Sequence, residues 1–239
     1  MNYNLNKNLI ANNFRDLGIF NLKISASAQF NEDELKNIIQ NYPNKKITFI
    51  DLRLEYHGFI DGEPINLRNY YSKTLSFDQS QEKQILLDVV KKKFNLIENS
   101  DNKSILTKSN ISYEVLTEEE IVKKYHCNYQ RFPLKDHHFP DLNQFEEIVE
   151  FIKNSEKDSN QRLHVHCAAG YGRTAIFLAI YDILINHQNS SINEIFTRQA
   201  NLGGANLANI EYEDEWSFEQ KQNIQILLQF YEQLNQTKL

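Results

Sequence analysis

The sequence predicts an α/β fold with a central, mainly parallel sheet flanked by helices. Short, β-branched apolar runs alternate along the chain with stretches whose apolar residues recur at helical spacing. No internal repeat, low-complexity tract or Pro/Gly-rich linker divides the chain, and 239 residues suffice for one full-sized core. Residues 1–239 are therefore expected to form a single domain.

The elements follow in order. Asn31 and Glu34 make a capping-box pattern for a helix over 31–41, with Leu35, Ile38 and Ile39 on one face. "KKITFIDLR" (45–53) reads as a buried strand, followed by a polar loop containing Gly58 and Gly62. Ile85, Leu86, Val89, Val90 and Phe94 mark a helix over 80–95. "ISYEVL" (111–116) alternates as a strand does, and Thr117 ahead of three glutamates opens a short helix. "CNYQRFPL" (127–134) is the next strand, then a helix over 141–154, the strand "RLHVHC" (162–167) and a helix from Gly172 to His187. Ser191 with Glu194 opens another helix, and the last, near 218–235, buries Ile224, Leu227, Leu228, Tyr231 and Leu234. In such sheets ligands bind beyond the carboxyl ends of the strands. Cys167 and the loop after Arg53 both fall there.

Bulk composition narrows the function classes. A net charge of −6 argues against non-specific nucleic-acid or anionic-membrane binding, though a local basic pocket is compatible with it. No run of eighteen apolar residues provides a transmembrane segment. The opening "MNYNLNKNLIANNF" lacks the basic and apolar regions of a secretory signal. The two cysteines, Cys127 and Cys167, form neither a disulfide framework nor zinc-ligand spacing, and a reducing compartment is expected.

"HCAAGYGRT" (166–174) is the most informative stretch. A loop from a strand end at Cys167 to a helix start near Gly172 aims successive N–H groups at one point, with the positive helix end behind them. Ala168, Ala169, Gly170 and Gly172 keep that nest free of bulk, and Tyr171 completes it. Arg173 adds a planar fork for two phosphate oxygens. A field of this kind lowers the pKa of a thiol, and Thr174 is placed to hydrogen-bond the sulfur. A lone cysteine at a strand end is ordinarily a core residue. The joint occurrence of Cys, two spaced glycines, Arg and Thr favours a phosphate cradle with a nucleophile beneath it. His164 and His166 share a strand face, but without a third ligand no metal site is expected, and His166 reads as a loop-orienting partner.

A phosphoester displaced by a thiolate needs a proton donor for the leaving oxygen. Asp136 in "RFPLKDHHFPDL" (131–142), flanked by Lys135 and His137, is the candidate. Asp141 precedes an amphipathic run and reads as a helix N-cap.

Together these motifs resemble the protein tyrosine phosphatase superfamily, whose Cys-x5-Arg-Thr loop "HCAAGYGRT" matches. "NNFRDL" (12–17), "IDLRLEYHGFIDGEPINL" (50–67), "YQRFPLKDHHFP" (129–140) and "RQANLGG" (198–204) resemble the cysteine phytases, the phosphatase-like inositol polyphosphate phosphatases of bacteria. The resemblance implies a phosphatase-like fold of dual-specificity size, a single phosphatase domain with no inserted β-barrel, and no cofactor. Cys167 would be the nucleophile, Arg173 the phosphate clamp, Asp136 acid then base, and Thr174 an aid to the sulfur. Arg15, Lys135, His137 and Asp61 would touch the substrate's outer phosphates. Arg53, Glu55 and His57 would either support the site as a buried ion network or touch substrate directly. The implied partner is an inositol phosphate or a phosphoinositide headgroup; a phosphotyrosine protein is the alternative, and a binding module without catalysis would lack Cys167, Arg173 or the loop acid Asp136. Relatives carry lysines after "LGG", whereas this chain carries Glu211, Glu213, Asp214 and Glu215. A cytoplasmic location, or delivery into a host cell without a signal peptide, fits the opening sequence. Cys127 reads as a core thiol, the alternative being a redox disulfide with Cys167.

Overall fold

The computed structural model describes residues 10–67, 78–95, 97–98, 105–108, 111–208 and 215–236. Its central sheet has the order β1-β2-β10-β3-β9. The strands β2 (Ile24–Ser27), β3 (Lys46–Arg53), β9 (Asn128–Leu134) and β10 (Gln161–His166) run parallel, and β1 (Arg15–Asp16) joins the β2 edge antiparallel. The described residues include seven α-helices: α1 (Glu32–Gln40), α2 (Gln79–Phe94), α3 (Glu118–Lys124), α4 (Leu142–Glu156), α5 (Gly172–Asn186), α6 (Ile192–Asn201) and α7 (Glu215–Gln236). The mainly parallel sheet expected from the sequence is present. Asn31, Thr117, Asp141 and Ser191 each cap a helix reciprocally with the residue three positions on.

Both faces of the sheet are covered, as parallel strands require. Side-chain alternation along β3 sends Ile50 and Leu52 to one face, against Ile148, Ile152, Phe177 and Ile180 of α4 and α5. Ile47 and Phe49 go to the other, against Phe30, Leu35 and Ile38 beside α1 and Ile121 and Val122 of α3. Asp51, Arg53, His164 and His166 fall on this second face by the same alternation, and all four are fully buried. A polar seam therefore runs through an apolar layer, directly below the strand ends.

The segment read as a polar loop after Arg53 is instead a hairpin of β4 (His57–Ile60) and β5 (Glu63–Asn66). Its two-residue turn, Asp61-Gly62, has positive φ at both positions (49° and 81°), the conformation Asp-Gly favours in hairpins. A second sheet, β5-β4-β8-β7-β6, grows from it through β8 (Ile111–Leu116), β7 (Ile105–Lys108) and β6 (Ile97–Glu98). Gly58 faces the backbone of Leu116, whose carbonyl oxygen would lie 2.5 Å from an added Cβ. Its missing side chain is what lets β4 and β8 close. Among the described residues no helix is long and apolar enough to cross a membrane. The acidic residues at 211–215 lie outside the residues whose side chains are described.

Candidate active site

Cys167 follows the last residue of β10 and is buried, with α5 starting five residues later. The carbonyls of the intervening loop are all tied outward. Ala168 O accepts from Gln29 N (3.1 Å), and Gly170 O accepts from Asn13 Nδ2 (3.1 Å) and Arg15 Nη2 (2.8 Å). Tyr171 O accepts from Ala175 N (3.0 Å). With the carbonyls so directed, the N–H groups of Ala168, Ala169, Gly170 and Tyr171 point away from these partners, and among the described residues no protein acceptor takes them. A nest of this kind suits a tetrahedral anion. Gly170 adopts φ +66°, and a Cβ there would meet Ser27 O at 2.4 Å, so both conformation and close approach demand glycine. Tyr171 is half-exposed at the mouth.

Arg173, in the first turn of α5, is buried against Glu55. Its Nη1 and Nη2 donate to the two carboxylate oxygens at 2.8 and 2.9 Å, and Nη1 also donates to Leu134 O at 3.1 Å. Nε is buried without a partner, a donor left over for a ligand in the nest. Burial opposes ionisation of Glu55, but the Arg173 hydrogen bonds outweigh it and hold its pKa below the usual value. Thr174 Oγ1 donates to Cys167 Sγ at 3.2 Å. Asp136, in the loop after β9, has Oδ1 3.1 Å from Arg173 Nη2. Cys167, Arg173, Thr174 and Asp136 are thus brought together from two loops. Lys135 and His137, on either side of Asp136, are exposed.

Two expected substrate contacts are tied to the backbone. Arg15 is as buried as Arg173, and its Nη2 donates to Gly170 O at 2.8 Å. Asp61 closes the hairpin onto β8, its carboxylate accepting from Glu114 N at 2.7 Å. Its position in the turn accounts for it.

Beneath the loop, the polar seam is a buried ion network. Arg53 donates Nε to Asp51 (2.8 Å) and Nη2 to Glu118. Glu118 also bonds His166 Nε2 (2.6 Å), whose Nδ1 faces Cys167 O at 3.4 Å. His57 Nδ1 donates to Glu55 O (2.8 Å), and its Nε2 lies 3.0 Å from Asp51 and 3.3 Å from Glu118. Arg131 grips Glu82 at 2.8 and 2.9 Å and donates to Glu55 O at 2.9 Å. Burial opposes the charge on each member. Even so, Arg53, His57 and Arg131 hold Asp51 well below the usual carboxylate range, and His166 and Arg53 do the same for Glu118. Burial and Arg53 push His57 down, Asp51 pushes it up, and the net direction is up. Arg53 and His57 are therefore members of this support and Glu55 is its hand on Arg173. Asp51, His57 and Glu118 are, among the described residues, a trio with metal-ligand spacing, but Arg53 already bridges two of them.

His164 is hydrogen-bonded to Ser25 and Ser27, each at 3.0 Å. Ser27 Oγ donates to Ala28 O, so it accepts from His164 Nε2, and Nδ1 accepts from Ser25. Burial, then His166, keeps this ring neutral, its pKa well below the ordinary value. The disulfide alternative fails on register. Asn128 and Leu163 both pair with Thr48, placing Cys127 one residue below that level and Cys167 four above it. That is about 16 Å along the strands, with β3 between them, against a Cα separation below about 7 Å in a disulfide. Both cysteines are free, and burial pushes the Cys127 thiol up to about 11.

Sequence reasoning missed Asn13 and Glu118. Asn13, at φ 56°, donates to Gly170 O and to Gly203 O (3.0 Å), pinning the loop to the end of α6. Polar residues in a polar-looking segment give no such signal. Glu118 stands among three consecutive glutamates and only the fold singles it out.

A Cys-x5-Arg-Thr loop between a parallel strand and a helix defines a protein of the tyrosine-phosphatase-like class. The model of the PTP-like phytase family, described as inositol hexakisphosphate, matches residues 50–185, more than half of the chain. The chain belongs to that family. It is similar to the PTP-like myo-inositol phosphatase of Mitsuokella multacida, solved with myo-inositol-(1,3,4,5)-tetrakisphosphate: TM-score 0.73, 26% identity, 99% of this chain and 41% of that one. A PTP-like phytase from Bdellovibrio bacteriovorus gives TM-score 0.72 and 25% identity over 95% of this chain and 86% of that one. Among curated proteins, the effector protein hopD2 of Pseudomonas syringae pv. tomato is 28% identical over 196 residues, 77% of this chain. The chain spans 42% of that relative's length.

Proposed function

We propose that the chain is a cysteine-dependent phosphomonoesterase that dephosphorylates inositol polyphosphates through a phosphocysteine intermediate. The observation that carries the reading is the loop at 167–173: its carbonyls are taken by other partners, Arg173 Nε is buried without a partner, and Thr174 Oγ1 donates to the Cys167 sulfur. The Cys167 thiolate attacks phosphorus, the S–P bond forms, and the P–O ester bond breaks. Asp136, protonated for this step, gives its proton to the leaving oxygen. It then takes a proton from the water that attacks phosphorus. The S–P bond breaks, and the thiolate leaves with Thr174 donating to the sulfur. The loop N–H groups and Arg173 supply the charge stabilisation. The Mitsuokella structure with a bound inositol tetrakisphosphate supports the substrate class, and exposed Lys135 and His137 beside Asp136 suit a ring with several phosphates. Similarity to an effector supports delivery into a host cell.

The test is phosphate release from phytate, lower inositol phosphates, phosphoinositides and a phosphotyrosine peptide, with and without EDTA. Preference for the soluble inositol phosphates, unchanged by EDTA, is the expected result. Preference for the peptide overturns the substrate assignment and leaves the chemistry standing. Asp136→Asn should lower kcat by about 10²–10³-fold on inositol phosphates. It should do far less on an aryl phosphate, whose leaving group needs no proton. Equal losses on both would remove Asp136 from the acid role.

A further inference from the structure

We propose that Asn13 is a positioning residue for the phosphate site: its carboxamide holds carbonyls of the Cys167 loop turned away from the nest and ties the turn after α6 to that loop. The inference rests on the reading of the loop as a phosphate site.

Asn13 lies in a tight turn just ahead of β1, closed by Phe14 N donating to Ala11 O at 3.2 Å. Asn12 O accepts from Ala28 N at 2.8 Å, which fixes this turn to the Ser27–Ala28 backbone that Gly170 packs on. From there Asn13 Nδ2 reaches three carbonyl oxygens, Gly203 at 3.0 Å, Gly170 at 3.1 Å and Ala169 at 3.4 Å. Two N–H groups serve three acceptors, and the longest contact is the shared one. Arg15 Nη2 also takes Gly170 O, at 2.8 Å, so the distinct contribution of Asn13 is to join the loop to Gly203.

The peptide unit decides what this does. Carbonyl and N–H point oppositely across a trans peptide. Holding Ala169 O and Gly170 O toward Asn13 therefore turns the N–H groups of Gly170 and Tyr171 the other way, where no described acceptor takes them. Gly170 makes the tie necessary, since glycine resists rotation of its flanking peptides less than any other residue. The other side of the carboxamide is matched as closely. A Cβ on Gly203, at φ +89°, would lie 2.5 Å from Asn13 Oδ1, and Ala205 N is 3.5 Å from Tyr171 O. The turn after α6 is seated on the loop through Asn13 at one end and Tyr171 at the other. Asparagine meets both demands: it tolerates the left-handed φ of 56° and it offers donors. Aspartate has the shape without the donors, and glycine the backbone without the side chain.

The test compares Asn13→Gly and Asn13→Asp with the parent protein, by calorimetric titration with inorganic phosphate and by kcat and KM on an aryl phosphate. Both exchanges leave the left-handed backbone accessible and remove the donors. We expect each to raise the Kd of phosphate about tenfold and to lower kcat/KM by at least as much, the worth of one or two hydrogen bonds. The Asn13→Asp deficit, taken relative to the parent at each pH, should shrink toward about pH 4, where a protonated carboxyl regains a donor. Gly203→Ala, whose Cβ strikes the Asn13 carboxamide, should reproduce the loss, and in the Asn13→Gly background it should cost less than it does alone. Unchanged Kd and kcat/KM in both Asn13 variants, with only the urea midpoint lowered, would overturn the proposal and leave Asn13 a residue of the fold alone. Losses from Asn13→Gly and Gly203→Ala that simply add would overturn the tie between loop and turn. A parent protein that neither binds phosphate nor hydrolyses the ester would overturn the reading of the site, and this inference with it.

Discussion

Replacing Cys167 by serine is expected to abolish turnover, with kcat reduced by about 10⁴-fold or more, while inorganic phosphate still binds. The two halves of this result come from different atoms. Binding rests on the N–H groups of residues 168–171, Arg173 and the helix end, none of which the exchange of sulfur for oxygen disturbs. Turnover rests on the sulfur, because a serine hydroxyl has no general base within the described contacts of this position. Thr174 donates to Cys167 Sγ and cannot at the same time take its proton. The measurement is kcat on an inositol phosphate beside phosphate titration calorimetry. Loss of both activity and binding would mean that the side chain builds the nest, and comparable activity in Cys167→Ser would falsify the phosphocysteine route. Arg173→Lys provides the complementary result, weak binding and weak turnover together. An ammonium cannot make the paired contact with Glu55 and still present a planar donor to phosphate.

The parts of this site legible from sequence are the contiguous ones. Strand, loop and helix over 161–186 follow each other directly, so residue types and spacing alone define a nest. Capping boxes at Asn31, Thr117 and Ser191 are legible for the same reason, each being complete within four residues. Illegible were partnerships that span the chain. Glu55 meets Arg173 across 118 positions and Glu118 meets His166 across 48. The β2 strand "ISAS" lacks the apolar run expected of a central strand because its serines are satisfied by His164 from the neighbouring strand. The Asp61-Gly62 turn did carry a local hairpin signal. It stands among polar residues whose burial differs, His57 lying in the ion network while Asp61, Glu63 and Asn66 are exposed.

Glu118→Ala is expected to be the most damaging substitution for stability among the network residues, costing about 3–5 kcal/mol. Glu118 is fully buried and holds Arg53 and His166, with His57 3.3 Å away. Alanine leaves a buried guanidinium with Asp51 alone and frees the imidazole that faces Cys167 O. Glu118→Gln keeps an acceptor and should cost less, which separates the lost charge from the lost volume. The pH dependence follows from the directions of the shifts. Glu118 and Asp51 are depressed in the folded protein, so their stabilisation is present above the unfolded carboxylate range, about 4, and is lost as pH falls through the folded values. His57 is raised, so its contribution is complete below about 6.5 and is lost as pH rises through the folded value. Network stabilisation is therefore greatest between about pH 4.5 and 6.5. The deficit of Glu118→Ala, read from urea midpoints, should be full at pH 5.5 and shrink toward pH 3. A deficit independent of pH would assign the loss to packing, leaving the network no electrostatic part in holding the loop.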